Sequence, residues 1–475
     1  MKDRNKTENR RNKKISRRDF LGAAAAAAAF TIVPRHVLGG PGHTPPSEKL
    51  NIACVGTGGQ GISDMKILLE KPAVHVVAVC DVSRCADYSA FYFGGTAGRE
   101  PARNIVDSYY ASRQTSGAYK ACAAYKDFNV MLHERSDIDA VLVATPDHVH
   151  AVASMAAIKM GKHVYCEKPL TYSVYEARTI AAAARRHKVV TQMGIQLHAT
   201  TALKTLVEML QSGVIGKVRE VHLWSNKPSS SPLVTERPKE TPPVPPTLDW
   251  DLWLGPAPFR PYHPSYVPYR WRYWRGFGTG RLGDMGCHIF DPAFWALRLK
   301  SPATIEASST PVNSATYPLA SVVRYEFAVD SAPQPVTITW YDGGIYPFRP
   351  QELEQGRNLP DQGGLYIGEY GTILAPHGAG PRLVPESKMT GFKPPEPSLP
   401  RDIDHYEEWV RACKGDSKPL ADFDYSGPLT ETVLLGNIAV RTGQKLYWDA
   451  PNMKFTNAPD ANQLLHRKYR HPWTL

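Results

Sequence analysis

The stretch NIACVGTGGQG, Asn51 to Gly61, constrains the fold of this 475-residue chain more than any other segment. Its apolar run reads as a strand that stops at Gly56. Apolar residues then recur at Ile62, Met65, Leu68 and Leu69, the spacing of an amphipathic helix. Gly56, Gly58 and Gly61 stand in G-x-G-x-x-G spacing. Such glycines allow a tight turn, close approach of backbone to a pyrophosphate, and close helix–strand packing. The N–H groups that open the helix then offer its positive dipole end to an anion. Glycine-rich turns are common, so the motif needs its context. Asp81 supplies it, ending the next apolar run 20 residues beyond Gly61, where an acid takes the adenosine ribose hydroxyls. A carboxylate there repels a 2′-phosphate and favours NAD, while nearby Arg84 leaves NADP open.

Further strands are expected at 75–81, 139–145, 163–167 and 189–194, most of them nearly continuous apolar runs. Strands covered by helices on both faces look like this. Helical patterns fall between them, at Ala151, Val152, Met155 and Ala156, then at Ala177, Ile180, Ala181 and Ala184. Alternating β and α predicts a doubly wound parallel sheet of the Rossmann kind. After about residue 200 the pattern changes. A helix with Leu203, Leu206, Val207 and Leu210 on one face stops at Gly213. Strand-like segments follow at 218–225, 303–310, 321–329, 335–341 and 365–375, with two helices near 402–413 and 429–442. This predicts a second α/β (α+β) domain with a mostly antiparallel sheet. The expected organisation is 1–48 as leader and linker, 49–195 as dinucleotide domain and 196–475 as substrate domain. Residues 228–268 contain twelve prolines, a long irregular connection of the sort that lines sites.

The leader rests on SRRDFLGAAAAAAAF, Ser16 to Phe30. The apolar run from Leu21 to Val33 is too short to span a bilayer, and its basic flank matches an export signal of the twin-arginine type. A periplasmic or otherwise exported location is therefore expected, with no stable membrane span. Residues 2–20 carry a net charge of +6 out of the chain's +11. Most of the basic excess thus belongs to targeting and gives no reason to expect nucleic-acid binding. The seven cysteines show no C-x-x-C spacing and no disulfide framework.

Chemistry concentrates at the expected strand ends. ATPDHVH brings Thr145, Pro146 and His148 to the ligand edge of the sheet, whereas His150 reads as an ordinary loop residue. CEKPL brings Glu167, Lys168 and Pro169 to the same edge. A lysine there can hold a substrate hydroxyl and steady its developing alkoxide; a plain loop lysine is the bland alternative. GDMGCHIFD offers Asp284 and His288, four apart and on one face if helical. His288 has an ordinary pKa suited to taking a hydroxyl proton. A capped helix start with a packed histidine accounts for the same spacing equally well. Asp147, His148, His150, Asp284 and His288 match no zinc signature, so no metal is expected. Trp250, Trp253, Trp271 and Trp274 suit either sugar stacking or domain packing.

In order and content, GTGGQG, ATPDHVH, CEKPL and GDMGCHIFD resemble the Gfo/Idh/MocA family, named for glucose–fructose oxidoreductase and inositol dehydrogenase. IQLHATTALKTLVEMLQSGVIGKV, WDLWLGPAPFRPY and FDYSGPLTETVLLGNIAVRTGQKLYWD resemble its long, secreted bacterial branch. The resemblance implies a Rossmann domain followed by a domain with a large open sheet used for assembly into a dimer or tetramer. It implies Lys168, Asp284 and His288 as catalytic residues, a cis peptide before Pro169, bound NAD(P), and a sugar or polyol substrate. His198 stands where many relatives have arginine. Some relatives are glycosidases working by transient oxidation and elimination; retention of Lys168 points instead to a plain oxidoreductase. Retention of Lys168, Asp284 and His288 together also argues against a catalytically dead nucleotide sensor.

Overall fold

The computed structural model describes residues 48–91, 94–113, 119–226, 236–329, 335–401 and 403–475. The twin-arginine stretch lies outside these residues. The first layer set begins with β1 (Leu50–Val55), α1 (Gly59–Leu69) and β2 (Val74–Cys80), then a two-residue hairpin β3 (Ala86–Asp87) and β4 (Thr96–Ala97). It continues with α2 (Arg99–Ala111), β5 (Ala123–Tyr125), α3 (Phe128–Glu134), β6 (Ala140–Val143), α4 (Asp147–Lys159), β7 (His163–Glu167), α5 (Val174–His187) and β8 (Thr191–Gly194). Six of the strands form an all-parallel sheet in the order β5-β2-β1-β6-β7-β8. The order reverses about β1, and the crevice at such a switch point is where an open α/β sheet binds ligands. β6 is buried at every position, as the apolar run predicts.

The second set comprises α6 (Thr201–Gln211), β9 (Val218–Ser225), α7 (Trp250–Leu254) and α8 (Gly280–Ala296), then β10 (Thr304–Ser309), β11 (Ser321–Phe327), β12 (Val336–Asp342), β13 (Gln362–Gly368), β14 (Thr372–Pro376) and β15 (Arg382–Val384). It closes with α9 (His405–Cys413), α10 (Phe423–Thr442), β16 (Leu446–Asp449) and β17 (Lys454–Phe455). Nine strands make one sheet, β15-β14-β13-β9-β12-β11-β10-β16-β17, and only the β9–β12 pair is parallel. The expected single strand 365–375 is instead a hairpin: Gly368 N–H bonds the Gly371 carbonyl at 2.9 Å and turns the chain back. α10 starts six residues before the expected 429, because Asp422 caps it by accepting from Tyr425 N–H, and the helix tolerates Pro428 inside.

One apolar core runs through both sets. Ala181 and Ala184 of α5, Leu282 and Phe290 of α8, and Val433 and Leu435 of α10 all belong to it. Polar ties reinforce the seam. Arg178 on α5 grips Glu431 on α10 through two 2.7 Å bonds, the bidentate geometry that makes such pairs strong. This pair ties α5, which follows β7, to α10 of the second set.

Candidate active site

Gly56 takes a left-handed φ of +85°, and a Cβ there would stand 2.6 Å from the Ala144 carbonyl carbon. A Cβ on Gly61 would meet the Gly56 carbonyl oxygen at 1.9 Å. The first and third glycines therefore fill the turn and packing roles that the motif assigns them. At the second, Gly58, the approach is made by the Tyr88 hydroxyl, 2.1 Å from where a Cβ would lie. Tyr88 reaches in from the segment between β3 and β4. Its oxygen stands at the helix start, the place where a pyrophosphate oxygen binds.

Asp81 accepts from Thr57 N–H and from Ser83 N–H, both at 2.8 Å. Burial pushes its pKa up to about 6, with those N–H groups opposing. Arg84 is exposed and does not line the cavity. Thr57 and Thr145 each bury a hydroxyl with no hydrogen-bond partner. The glycine cradle, Asp81 and these unmet hydroxyls fit a dinucleotide.

The cavity they border measures about 500 Å³ and reaches from Asp127 and Phe128 past Gly56 and Gly58 to Glu167 and Lys168, within the range of small-molecule sites. Much of its far wall comes from the proline-rich connection, including Pro245, Leu248, Trp253, Tyr262 and Trp271. Trp250 and Trp253 stack with ring centroids 4.7 Å apart. They belong to a local aromatic cluster with Trp271, Trp274 and Phe277, and Trp253 and Trp271 also face the cavity.

Lys168 follows β7 and forms a cis peptide with Pro169. Its ammonium donates to the Asp284 backbone carbonyl at 2.7 Å and to the carboxylate Oδ1 at 2.8 Å. Burial works against that ammonium, but the Asp284 charge outweighs it and raises the pKa. Asp284 itself is held below the usual carboxylate range; burial would raise it, and the Lys168 and Arg272 charges prevail. Arg272 lines the cavity with its Nε 3.4 Å from Asp284. It comes from the short 3-10 turn Arg270–Tyr273 that follows the proline-rich connection and carries no motif.

His288 is one helical turn beyond Asp284 but does not line this cavity. It borders a separate hollow of about 40 Å³, with His377 across it at 5.8 Å between ring centroids. Its buried Nδ1 has no hydrogen-bond partner. The sequence assigns it an ordinary pKa. In the structure burial first, then the Lys168 and His377 charges, press it well below that value.

His148 and His150 exchange their expected places. His148 is buried outside the cavity lining, its ring nitrogens 2.9 and 3.2 Å from the Trp253 and Phe277 carbonyls. It joins α4 to the Trp253 and Phe277 backbone. His150 lines the cavity, with ring nitrogens 2.7 Å from the Pro169 and Thr145 carbonyls; burial pushes its pKa down to about 4, so the neutral ring donates to one of the two and packs between both ligand loops. Residues two apart on a helix point to different sides, which loop-level reading missed. Asp147, adjacent to both, is buried in the lining and accepts from the Thr279 hydroxyl at 2.6 Å. Burial pushes its pKa up to about 7, against that bond.

Glu167 is buried with its Oε1 accepting from Gln196 at 2.6 Å, and burial pushes its pKa well above the usual carboxylate range. His198 lies beside Asp291 at 2.9 Å and stacks on Trp295 at 4.1 Å, deep in the second domain's packing. Among the described residues, no three His, Cys, Asp or Glu side chains gather as a metal-binding set, and no helix is long and apolar enough to cross a membrane.

Comparison with known proteins agrees with this geometry. The family model for the NAD-binding Rossmann fold of the Gfo/Idh/MocA oxidoreductases matches residues 50–195, and the model for that family's C-terminal α/β domain matches 200–328. Levoglucosan dehydrogenase of Pseudarthrobacter phenanthrenivorans is 27% identical over 163 residues, 33% of this chain and 32% of that protein. A glycosyl hydrolase family 109 protein of Stenotrophomonas maltophilia is 30% identical over 153 residues, 32% of this chain and 29% of that one. The chain thus spans about a third of the length of the curated relatives it matches. The WlbA dehydrogenase of Bordetella pertussis, solved with NADH and UDP-GlcNAcA, superposes over 84% of this chain and 99% of that one. Its TM-score of 0.56 at 15% identity speaks for the fold. A glycine cradle facing Lys168 and Asp284, with family models matched across both domains, places this chain in the Gfo/Idh/MocA oxidoreductase family.

Proposed function

We propose that this chain is an exported NAD(P)-dependent oxidoreductase that moves hydride between a sugar or polyol hydroxyl and a tightly held nicotinamide dinucleotide. The observation that carries the reading is the Lys168 ammonium, fixed at 2.7 and 2.8 Å against Asp284 in the cavity bounded by the glycine loop. The bound dinucleotide supplies the hydride acceptor and, in the reverse direction, the donor. Lys168 donates to the substrate oxygen and stabilises its negative charge as the hydroxyl proton leaves, an effect strengthened by burial. Asp284 keeps the ammonium aimed. His288, one helical turn beyond Asp284, is the proposed acceptor of that proton; it stands outside the cavity lining, so the proton would reach it through an intervening group. Asp81 with Arg84 turned outward favours NAD over NADP.

The similarity to levoglucosan dehydrogenase supports a carbohydrate substrate. The twin arginines support export of the folded protein with its cofactor already in place. Free nicotinamide dinucleotide is scarce outside the cell, which favours a cofactor reduced and reoxidised within one site. Self-association into a dimer or tetramer would use the open nine-stranded sheet. The similarity to a glycosyl hydrolase family 109 protein favours one second reading, glycoside cleavage by transient oxidation and elimination.

Lys168→Ala is the direct test. Turnover should fall by about 100-fold or more, with NAD still bound; unchanged turnover removes Lys168 from the chemistry. Free sugars and aryl glycosides, followed at the nicotinamide absorbance, separate the two readings. Net NADH from free sugars supports the oxidoreductase. Glycoside cleavage without net NADH supports the second reading.

A further inference from the structure

The segment 467–473 belongs to neither sheet, yet it is stitched across the ligand edge. Arg467 donates to the His148 carbonyl at 3.0 Å, and its guanidinium lies 4.6 Å from the Tyr172 ring centroid. The Tyr469 hydroxyl donates at 2.7 Å to Glu176, the buried acid that closes the capping box of α5. Arg470 donates to the Gly255 and Asp251 carbonyls at 3.0 and 2.8 Å and to the Asp251 carboxylate at 2.5 Å. These bonds tie the segment to α4, α5 and α7 at once.

What they deliver is Trp473. Its indole is half-buried, lines the 500 Å³ cavity, and packs on Phe128 with ring centroids 5.9 Å apart. Its neighbours in the lining, Lys126, Asp127 and Phe128, follow β5, the strand beside β2. That is the Asp81 side of the cavity, the adenosine end of a dinucleotide bound over the glycine loop. On its other side Trp473 borders an outer groove of about 370 Å³ between α3 and α4. The indole is a partition between that groove and the cofactor cavity.

We infer that Trp473, with Phe128, is the adenine-binding wall of the dinucleotide site, and that segment 467–473 is a strap that retards release of the cofactor. The inference rests on the reading of the cavity as an NAD site. It extends that site to a segment outside both family-model matches. A flat indole edged by a phenyl ring offers adenine the apolar, polarisable face on which bases stack. Loss of the indole joins cavity to groove and opens the adenosine end to water, whereas the nicotinamide end, bounded by Lys168 and Thr145, keeps its walls.

The test compares the full chain with Trp473→Ala and Trp473→Phe, using ADP-ribose, nicotinamide mononucleotide and NAD as probes. In Trp473→Ala, ADP-ribose affinity should fall about tenfold or more, as base–aromatic stacking implies, and NAD should dissociate correspondingly faster. Nicotinamide mononucleotide should bind as to wild type. Trp473→Phe keeps an aromatic face, so it should retain most of the affinity while losing any adenosine-induced quench of Trp473 fluorescence. Equal loss of both half-ligands, or no loss of either, overturns the assignment. If Trp473→Ala does not fold, Trp473→Phe still decides: a quench identical to wild type refutes it. A wild-type protein that binds no NAD would instead sink the cofactor reading itself.

Discussion

Replacing Asp284 with Asn removes a charge and little else. Asn keeps an oxygen where Lys168 finds the carboxylate at 2.8 Å, and the residue's backbone carbonyl still accepts at 2.7 Å. For unit charges 2.8 Å apart, Coulomb's law at an effective dielectric of about 20 gives about 6 kcal/mol. The two side chains are 15% and 30% exposed, so water screens the pair and roughly half, ~3 kcal/mol, remains. If that energy holds the ammonium on the reacting oxygen, Asp284→Asn lowers kcat by roughly 100-fold and leaves NAD affinity unchanged. Without the carboxylate, Lys168 loses the largest of the influences that raise its pKa while burial and Arg272 still act on it, so the value falls from that of the wild type. The alkaline limb of the kcat/KM profile then moves to lower pH. A second readout needs no substrate. The depressed Asp284 pKa contributes stability that is present above the ordinary carboxylate range and lost as pH falls through the depressed value. The raised Lys168 pKa contributes stability present below the ordinary lysine value and lost as pH rises through the raised one. The Tm difference between wild type and Asp284→Asn should therefore form a plateau of a few degrees across neutral pH and close at both extremes. A Tm difference that ignores pH, or a kcat and alkaline limb that do not move, refutes the pairing argument.

Gly58→Ala puts a Cβ 2.1 Å from the Tyr88 hydroxyl. It should weaken NAD binding by about tenfold or more, and adding Tyr88→Ala should restore thermal stability but not affinity, because the methyl still blocks the pyrophosphate; full recovery of affinity in titration calorimetry would show that only Tyr88 is displaced. Asp147→Asn tests the buried carboxyl whose pKa is pushed up to about 7. Between pH 4 and 7 the folded wild type keeps a proton that the unfolded chain releases, so its stability falls as pH rises through that window, by roughly 4 kcal/mol at most. Asn does not titrate, so the variant should gain on wild type from pH 4.5 to 8 in scanning calorimetry; a pH-independent difference contradicts the buried, raised carboxyl.

The parallel sheet was readable because its strands are buried on both faces and its helices on one, so hydrophobic period alone separates them. β6 and β7 fall within the expected runs for this reason. Period fails where a turn is made by backbone rather than by a polar cluster. Gly368 and Gly371 divide the expected run into β13 and β14 through a four-residue turn whose single charged member, Glu369, reads as a strand position. It also fails for β5, three half-buried residues at a sheet edge. Capping could have corrected α10, since Asp422 carries a usable N-cap signal that the proline at 428 obscured.

At the site, legibility tracks whether a residue serves the chemistry through its own loop or through a distant contact. Gly56, Gly61, Lys168 and Asp284 act where they stand in the chain, and their motifs identify them. Arg272, Tyr88 and Trp473 reach the same cavity from segments that carry no motif, because their role is set by what the fold lays beside them. The histidines show why this matters for mechanism. His150 sits between two carbonyls at 2.7 Å and is held between the two ligand loops by the one N–H its neutral ring carries. His288 has an Nδ1 with no hydrogen-bond partner and a pKa held down by burial and by the Lys168 charge. Lys168 therefore bears on three places at once: it pairs with Asp284, it presses on His288, and it faces the cavity where a substrate oxygen would sit.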